Sequence, residues 1–190
     1  YIGFREAYPI VIKGLKRLEY RGYDSAGVML YDGETMKIAK AKGKVADLEE
    51  RASKEITANG TIGIGHTRWA THGRPSDVNS HPHSDCTGNF VVVHNGIIEN
   101  YTELKEKLLK HGYTFYSQTD TEVAIKLVDY YYKKYKLGPI DAIAKTMVRI
   151  RGSYALELMF RDYPGEIWVA RKDSPMIIGI ADGETYVASD

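Results

Sequence analysis

The sequence lacks a long apolar run, a cysteine pair and an excess of charge of either sign. Apolar runs such as 90–93 are far shorter than the ~20 residues that a membrane-spanning helix needs. The single cysteine, Cys86, excludes an intrachain disulfide. Lysine and arginine number 26 against 25 acidic residues, so no basic surface indicates nucleic-acid binding. With no signal-peptide pattern at the start, we expect a cytoplasmic protein without membrane or nucleic-acid partners.

The chain has an ordinary globular composition, with 43% hydrophobic and 27% charged residues among 190. This length suits one domain or two small ones. Apolar spacing predicts helices over 6–20, 45–56, 100–110, 119–134 and 139–150. Asn59-Gly60 is the predicted stop of the second helix, Asn100 with Glu103 resembles a capping box, and 119–122 is a predicted N-cap. Strands are predicted over 25–31 and 36–42, joined as a hairpin by Asp32-Gly33, and over 61–66, 90–94 and 154–160, followed by three short ones. The pattern favours an α+β fold in which helices cover antiparallel sheets, with a long functional or disordered loop at 70–89.

Five of the six histidines lie between residues 66 and 94, which raises the question of a metal site. No carboxylate or thiolate accompanies them at a recurring ligand spacing, so the pattern favours polar loop or active-site structure. Walker, G-x-S-x-G and H-E-x-x-H signatures are absent. The segment 63–68 begins like a dinucleotide-binding loop but has Arg68 in its last place.

At three polar positions the residue type suits a binding or catalytic role, and a purely structural role is the alternative. Arg68 leaves a strand into a glycine-rich loop, which suits recognition of a carboxylate or a structural ion pair. Asn95-Gly96 offers two converging donors for an oxyanion, although on these residues alone a turn is favoured. Asp120 is typical of a helix start and can also bind an ammonium group. Arg68 and Asp120 together can hold the two ends of an amino acid.

Four motifs in this order resemble one known family. They are LEYRGYDSAG at 18–27, HTRWATHG at 66–73, HNGIIEN at 94–100 and TDTEV at 119–123. They resemble the glutaminase domain of the glutamine:fructose-6-phosphate amidotransferases (isomerizing), the glucosamine-6-phosphate synthases. The likeness spans nearly the whole chain, and the related class-II amidotransferases differ around the arginine and Asn-Gly motifs. The resemblance implies an N-terminal-nucleophile hydrolase with a four-layer αββα sandwich.

The resemblance also implies an activity and its residues. The family hydrolyses the glutamine side-chain amide to glutamate and delivers ammonia to fructose 6-phosphate, making glucosamine 6-phosphate in hexosamine biosynthesis without metal or cofactor. It implies that Asn95 and Gly96 form the oxyanion hole and that Arg21 and Tyr23 lie near the nucleophile. Glutamine binding is implied for Arg68, Trp69, Thr71, His72, Gly96 and Asp120.

The sequence departs from the family at its start. The family nucleophile is a cysteine at the first residue, usually followed by Gly-Ile-Val-Gly, whereas this chain begins Tyr1-Ile2-Gly3. We therefore expect residues 1–190 to be a glutaminase domain without its first residues, including the nucleophile, and without its C-terminal end. As written the chain is expected to be inactive, since Cys86 lies outside the motifs.

Partners and alternatives follow from the same resemblance. The partners implied are glutamine, fructose 6-phosphate and the protein's own sugar-isomerase domain, which is absent from these residues and would support a homo-oligomer. Two alternatives stay open: a non-catalytic glutamine-binding domain, or the glutaminase domain of another class-II amidotransferase.

Overall fold

The computed structural model describes residues 1–56, 60–85 and 87–190. The helices of this part are α1 Ala7–Leu18, α2 Val45–Glu55, α3 Tyr101–Lys110, α4 Asp120–Lys134 and α5 Pro139–Arg149. Its strands are β1 Ser25–Tyr31, β2 Met36–Lys42, β3 Ile62–Arg68, β4 His83–Ser84, β5 Phe90–Ile98, β6 Gly152–Phe160, β7 Trp168–Lys172, β8 Ile177–Ala181 and β9 Glu184–Ala188. A short 3-10 helix, Glu19–Arg21, follows α1. None of the described helices is long and apolar enough to cross a membrane.

The strands pair antiparallel in the orders β2-β1-β3, β4-β5-β6-β7 and β8-β9. Helices α1 and α2 pack on the outer face of the first sheet, and α3, α4 and α5 pack on the outer face of the second. The inner faces meet through side chains that include Met29, Ile64, Val91 and Met159. The result is the four-layer αββα sandwich that the resemblance implies, and the predicted fold class is confirmed.

Period-two alternation explains how one strand serves two layers. On β1, Val28 and Leu30 pack toward the helices, whereas Met29 and Tyr31 pack toward the second sheet. On β5, Val92 belongs to the helical side and Val91 to the space between the sheets. Both strands are therefore buried on two faces, as their near-continuous apolar sequences require.

The predicted helices and the hairpin of β1 and β2 are confirmed, and three local predictions need correction. The loop predicted at 70–89 contains the short strand β4. Asn100 does not close a capping box; its side chain instead bonds the carbonyl of Arg149 and the amide of Arg151, both at 2.9 Å. Asn95-Gly96 is not a turn, because β5 continues through it. The predicted Asn59 helix stop and Cys86 lie outside the described residues.

Candidate functional site

A cavity of about 470 Å³ opens where β3, β5 and the start of α4 meet. Residues selected from the sequence line it: Arg21, Arg68, Trp69, Thr71, Asn95, Gly96 and Asp120. His72 and Tyr23 are not among the lining residues. The ring of Tyr23 lies 5.9 Å from the Nζ of Lys44. The fold thus gathers segments distant in sequence around one space large enough for a small ligand.

Arg68 is the last residue of β3, and its side chain is only 4% exposed. Its guanidinium donates to the backbone carbonyls of His72, Gly73 (2.9 Å) and Arg74 (3.3 Å). The Asp24 carboxylate lies 3.8 Å away. The ion pair considered from the sequence is therefore present, and the same group ties the following loop to the strand. A guanidinium has five N–H donors, so further donors remain for an anionic ligand.

Asp120 lies in the first turn of α4 and is 3% exposed. One carboxylate oxygen accepts the backbone N–H of Ile98 at 2.8 Å and lies 3.8 Å from Nδ1 of His72. Thr119 caps the helix by accepting the N–H of Glu122, as the sequence predicts. A buried carboxylate that retains lone pairs beside the cavity can accept hydrogen bonds from a cationic ligand group.

A buried ion pair fixes the segment that leads into α4. Glu122 accepts the N–H groups of Tyr116 (2.9 Å) and Ser117 (2.6 Å), and the Nζ of Lys126 lies 2.5 Å from its carboxylate. Both side chains of the pair are at most 2% exposed. Such a pair is stable only when its remaining polar atoms are also bonded, and the two backbone N–H groups meet this need. They also fix the backbone of residues 116 and 117 against the first turns of α4.

Asn95 and Gly96 lie on β5 opposite Ala155 and Tyr154 of β6. Gly96 has φ +121°, and a Cβ atom there would be 2.1 Å from the carbonyl oxygen of Ser153. Only glycine fits this position, because an L side chain would meet both backbone strain and a clash. The chain therefore presents its backbone at the cavity wall directly beside the Asn95 side chain.

Four histidines near this wall are buried, namely His66, His81, His83 and His94, and all of them but His83 line the cavity. The rings of His66 and His81 stack with centroids 4.1 Å apart, and His83 meets His81 edge-on at 4.8 Å. Burial lowers the pKa of all four, that of His66 to about 4. Within the described ranges, no three His, Cys, Asp or Glu side chains are grouped to hold a metal ion.

A second, mainly apolar cavity of about 190 Å³ adjoins the first, and both are lined by His66, His94 and Asn95. Tyr1 lies in it, paired with Gly63 of β3 through hydrogen bonds of 2.8 and 3.0 Å. Ile2 continues the pairing to β3 and also pairs with Thr185 of β9. A groove therefore runs along β3 from Tyr1 to Asn95.

The loop between β3 and β4, residues 69–82, is anchored at its middle. Asp77 accepts the N–H of Lys42 at 2.7 Å and pairs with the guanidinium of Arg51 at 2.5 Å. Its later part also contacts β1, since a Cβ on Gly27 would lie 1.7 Å from the carbonyl oxygen of His81. Both halves of the loop line the cavity, the first with Trp69 and Thr71 and the second with His81.

Several residues of the site have no role that their local sequence predicts. Asp24 accepts the N–H of Ala70 and faces Arg68. Ser174 and Ser189 reach the cavity rim from the segments around β8 and β9. Asp24 lies within the motif at 18–27, but its contact with Ala70 depends on the pairing of β1 with β3. No local sequence pattern indicates a role for the two serines.

Known proteins resemble this chain in sequence and in fold. The model of the glutamine amidotransferase domain family matches residues 66–190. Similar curated proteins include the glutamine--fructose-6-phosphate aminotransferases [isomerizing] of Caldanaerobacter subterraneus subsp. tengcongensis, 53% identical over 190 residues, and Thermococcus kodakarensis, 50% identical. Each match covers all of this chain and 31% of the relative, so the chain spans about a third of their length.

A solved structure shares the fold. Glutamine phosphoribosylpyrophosphate amidotransferase from B. subtilis, complexed with ADP and GMP, superposes with a TM-score of 0.82 at 30% identity. The match covers 98% of this chain and 40% of that one. The antiparallel sheets and covering helices are therefore shared with a glutamine amidotransferase.

Proposed function

This chain belongs to the glutamine amidotransferase domain family, and from that premise we propose that it is the glutaminase unit of an enzyme that aminates fructose 6-phosphate. It releases ammonia from glutamine, and a sugar-isomerase part of the same protein uses it to make glucosamine 6-phosphate. The observation that carries the proposal is that one cavity, of about 470 Å³, has Arg68 and Asp120 on its walls together with Asn95 and Gly96. A cytoplasmic, cofactor-free homo-oligomer joined through the isomerase part belongs to the same proposal.

In this proposal the charged walls orient glutamine. Arg68 holds the α-carboxylate, because a guanidinium offers paired donors to a planar anion. Asp120 holds the α-ammonium, which leaves the side-chain amide beside Asn95 and Gly96. Trp69, Thr71 and Gly96 complete the pocket, and His72 is proposed to support glutamine binding from its place 3.8 Å from the Asp120 carboxylate. The anchored loop beginning after Arg68 shields the site from water.

We propose that the nucleophile is a cysteine that precedes Tyr1 in the full-length protein. Tyr1 pairs with Gly63 and Ile2 with Ile62 on β3. Antiparallel pairing continued in this register brings the fifth residue before Tyr1 opposite Arg68. That distance is the length of Cys-Gly-Ile-Val-Gly. The groove along β3 leads the same way, toward Asn95.

The chemistry then uses the cysteine as nucleophile and base. Its α-amine, with a pKa near 7.7–8.0, accepts the thiol proton. The thiolate adds to the amide carbon, and Asn95 with the Gly96 N–H stabilises the oxyanion. The tetrahedral intermediate then collapses and its carbon–nitrogen bond breaks. The leaving nitrogen takes the proton from the α-ammonium of the cysteine, which gives ammonia and a thioester. Water then hydrolyses the thioester to glutamate and returns the thiol. Arg21 and Tyr23 are proposed to lie near this nucleophile.

The experiment that tests the function uses the full-length protein with glutamine labelled by nitrogen-15 in its amide. With fructose 6-phosphate present, the label is expected in glucosamine 6-phosphate; without it, glutamate is still released. Glutamine binding without glutamate release would instead establish a non-catalytic binding domain. Label transfer to a different acceptor would indicate another class-II amidotransferase.

Removing either wall charge is expected to weaken glutamine binding about 10- to 150-fold, since a charge-assisted hydrogen bond contributes about 1.5–3 kcal/mol. Asp120→Asn is the sharper variant, because it keeps an acceptor for the Ile98 N–H while losing the charge. Arg68→Ala removes the charge that is proposed to hold the α-carboxylate at the other end of glutamine. Calorimetric titration of the full-length protein with glutamine measures both effects.

A matched control is Asp141→Asn, which neutralises an exposed carboxylate in the first turn of α5. It should leave glutamine affinity unchanged. Unaltered glutamine affinity in both Asp120→Asn and Arg68→Ala would reject the proposal that these two residues hold the two ends of glutamine.

Asn95→Ala is expected to lower the turnover number for glutamine about 10²–10³-fold. KM should change little, because the oxyanion exists only in the transition state. Steady-state glutamate release by the full-length variant provides the measurement. A variant that binds glutamine poorly but turns it over at the original rate would make Asn95 a binding group and not an oxyanion donor.

A further inference from the structure

The Asn95 side chain has a close neighbour that the proposed mechanism does not use. Nε2 of His66 lies 2.7 Å from Oδ1 of Asn95 and 2.9 Å from the backbone carbonyl oxygen of His94. A backbone carbonyl only accepts hydrogen bonds, so Nε2 must carry the proton. The position of the His94 carbonyl thus determines the tautomer of the His66 ring.

The tautomer in turn determines which way the Asn95 amide faces. Because Nε2 donates, the amide atom that faces it must be the oxygen. A flipped amide would bring its NH₂ group against the N–H of His66, and neither nitrogen could accept. The NH₂ group is therefore turned away from His66, and Asn95 is one of the residues that line the cavity.

The packing around His66 holds the ring in this role. His66 is 8% exposed and stacks on His81 with an interplanar angle of 15°. Burial lowers its pKa to about 4, so the ring is neutral and keeps its Nε2 proton near pH 7. The donor is thus placed by β3, whereas the amide that it orients belongs to β5 of the other sheet.

We propose that His66 is a positioning residue for the glutaminase reaction: its Nε2–H holds the Asn95 carboxamide in the one orientation that presents donors to the oxyanion. The inference rests on the proposed function and extends it, since it assigns the orientation of Asn95 to a residue that has no role in the proposed chemical steps. Without the bond, the carboxamide rotates between two orientations, one of which turns its oxygen toward a negative charge.

The test is a double-mutant cycle in the full-length protein, with glutamate release as readout. His66→Leu should lower kcat about tenfold or more, while KM for glutamine changes less than twofold. His66→Gln should recover much of the loss, because its amide NH₂ can donate to the same two oxygens. In the Asn95→Ala background, His66→Leu should have almost no further effect, because nothing remains to be oriented.

Several results would overturn the proposal. One is a double variant whose fold loss in kcat equals the product of the losses in His66→Leu and Asn95→Ala, because the two residues would then act independently. Another is a loss that appears in KM instead of kcat. Equal losses in folded Leu and Gln variants would also reject it. If His66→Leu does not fold, His66→Gln and His66→Asn complete the cycle with thermal unfolding as the check. Failure of the proposed function itself is distinguishable, since the unaltered protein would then release no glutamate.

Discussion

Adding Cys-Gly-Ile-Val-Gly directly before Tyr1, with the cysteine as the mature first residue, is expected to convert residues 1–190 from a chain that releases no ammonia into a glutaminase. The register of Tyr1 and Ile2 on β3 brings the first added residue opposite Arg68. In other acyl-transfer enzymes, loss of the nucleophile costs on the order of 10⁶-fold in turnover. Ammonia release from glutamine, coupled to an enzymatic ammonia assay, measures the change.

Two variants of the extended chain serve as controls. Replacing the added cysteine by alanine should abolish activity but not glutamine binding. Cys86→Ala should leave activity intact, because that thiol has no α-amine of its own to act as base and follows an acidic neighbour, Asp85. Ammonia release by the unextended chain, lost on Cys86→Ala, would overturn the proposed nucleophile.

Acid is expected to destabilise the fold steeply because four histidines are buried as neutral rings. Each has a pKa below its ordinary 6.5, with burial as the largest cause. The unfolded chain therefore binds protons that the folded chain does not. The stability that these four rings contribute should be complete above about pH 6.5 and fall below it, for His66 until the pH nears about 4.

The size of this effect follows from proton linkage. Each histidine contributes a loss of up to about 1.4 kcal/mol per pH unit while the pH lies between its unfolded and its folded pKa. Since domains unfold at about 5–15 kcal/mol, a loss of this kind is a measurable share of the total stability. Urea unfolding between pH 7.5 and 4.5, followed by tryptophan fluorescence, gives the free energy of unfolding at each pH.

Matched substitutions separate buried histidines from exposed ones. His83→Gln should reduce the slope below pH 6.5, because it removes one of the buried rings that gain a proton on unfolding. His111→Gln changes an exposed histidine after α3 and should leave the slope as it was. A free energy of unfolding that stays level from pH 7.5 to 5 would contradict buried neutral rings.

The sequence predicts most of this fold because the main elements obey local rules. The apolar run of β1, the alternation in β6 and the apolar spacing of α4 and α5 are visible without any tertiary knowledge. The short strand β4 was missed, since two residues show no period. Asn95-Gly96 has turn-forming residues, yet its pairing with Ala155 and Tyr154 of β6 overrides that preference.

The candidate site is only partly predictable for the same reason. Arg68, Asn95 and Asp120 stand out because their residue types suit carboxylate, oxyanion and ammonium binding. The His66–Asn95 bond, by contrast, joins two sheets, and it follows from the strand pairing and the packing of the sheets rather than from any motif. The positions of Ser174 and Ser189 likewise depend on how β8 and β9 are placed beside Ile2.

The anchor at Asp77 has a consequence for the entropy of the loop between β3 and β4. A flexible loop loses less conformational freedom on ordering when it is shorter, by about 0.6 kcal/mol for each halving of its length. The contacts of Asp77 with Lys42 and Arg51 divide residues 69–82 into two shorter spans. Each span therefore has less conformational freedom to lose than the undivided loop would have, so less of the binding free energy is consumed by restricting the backbone.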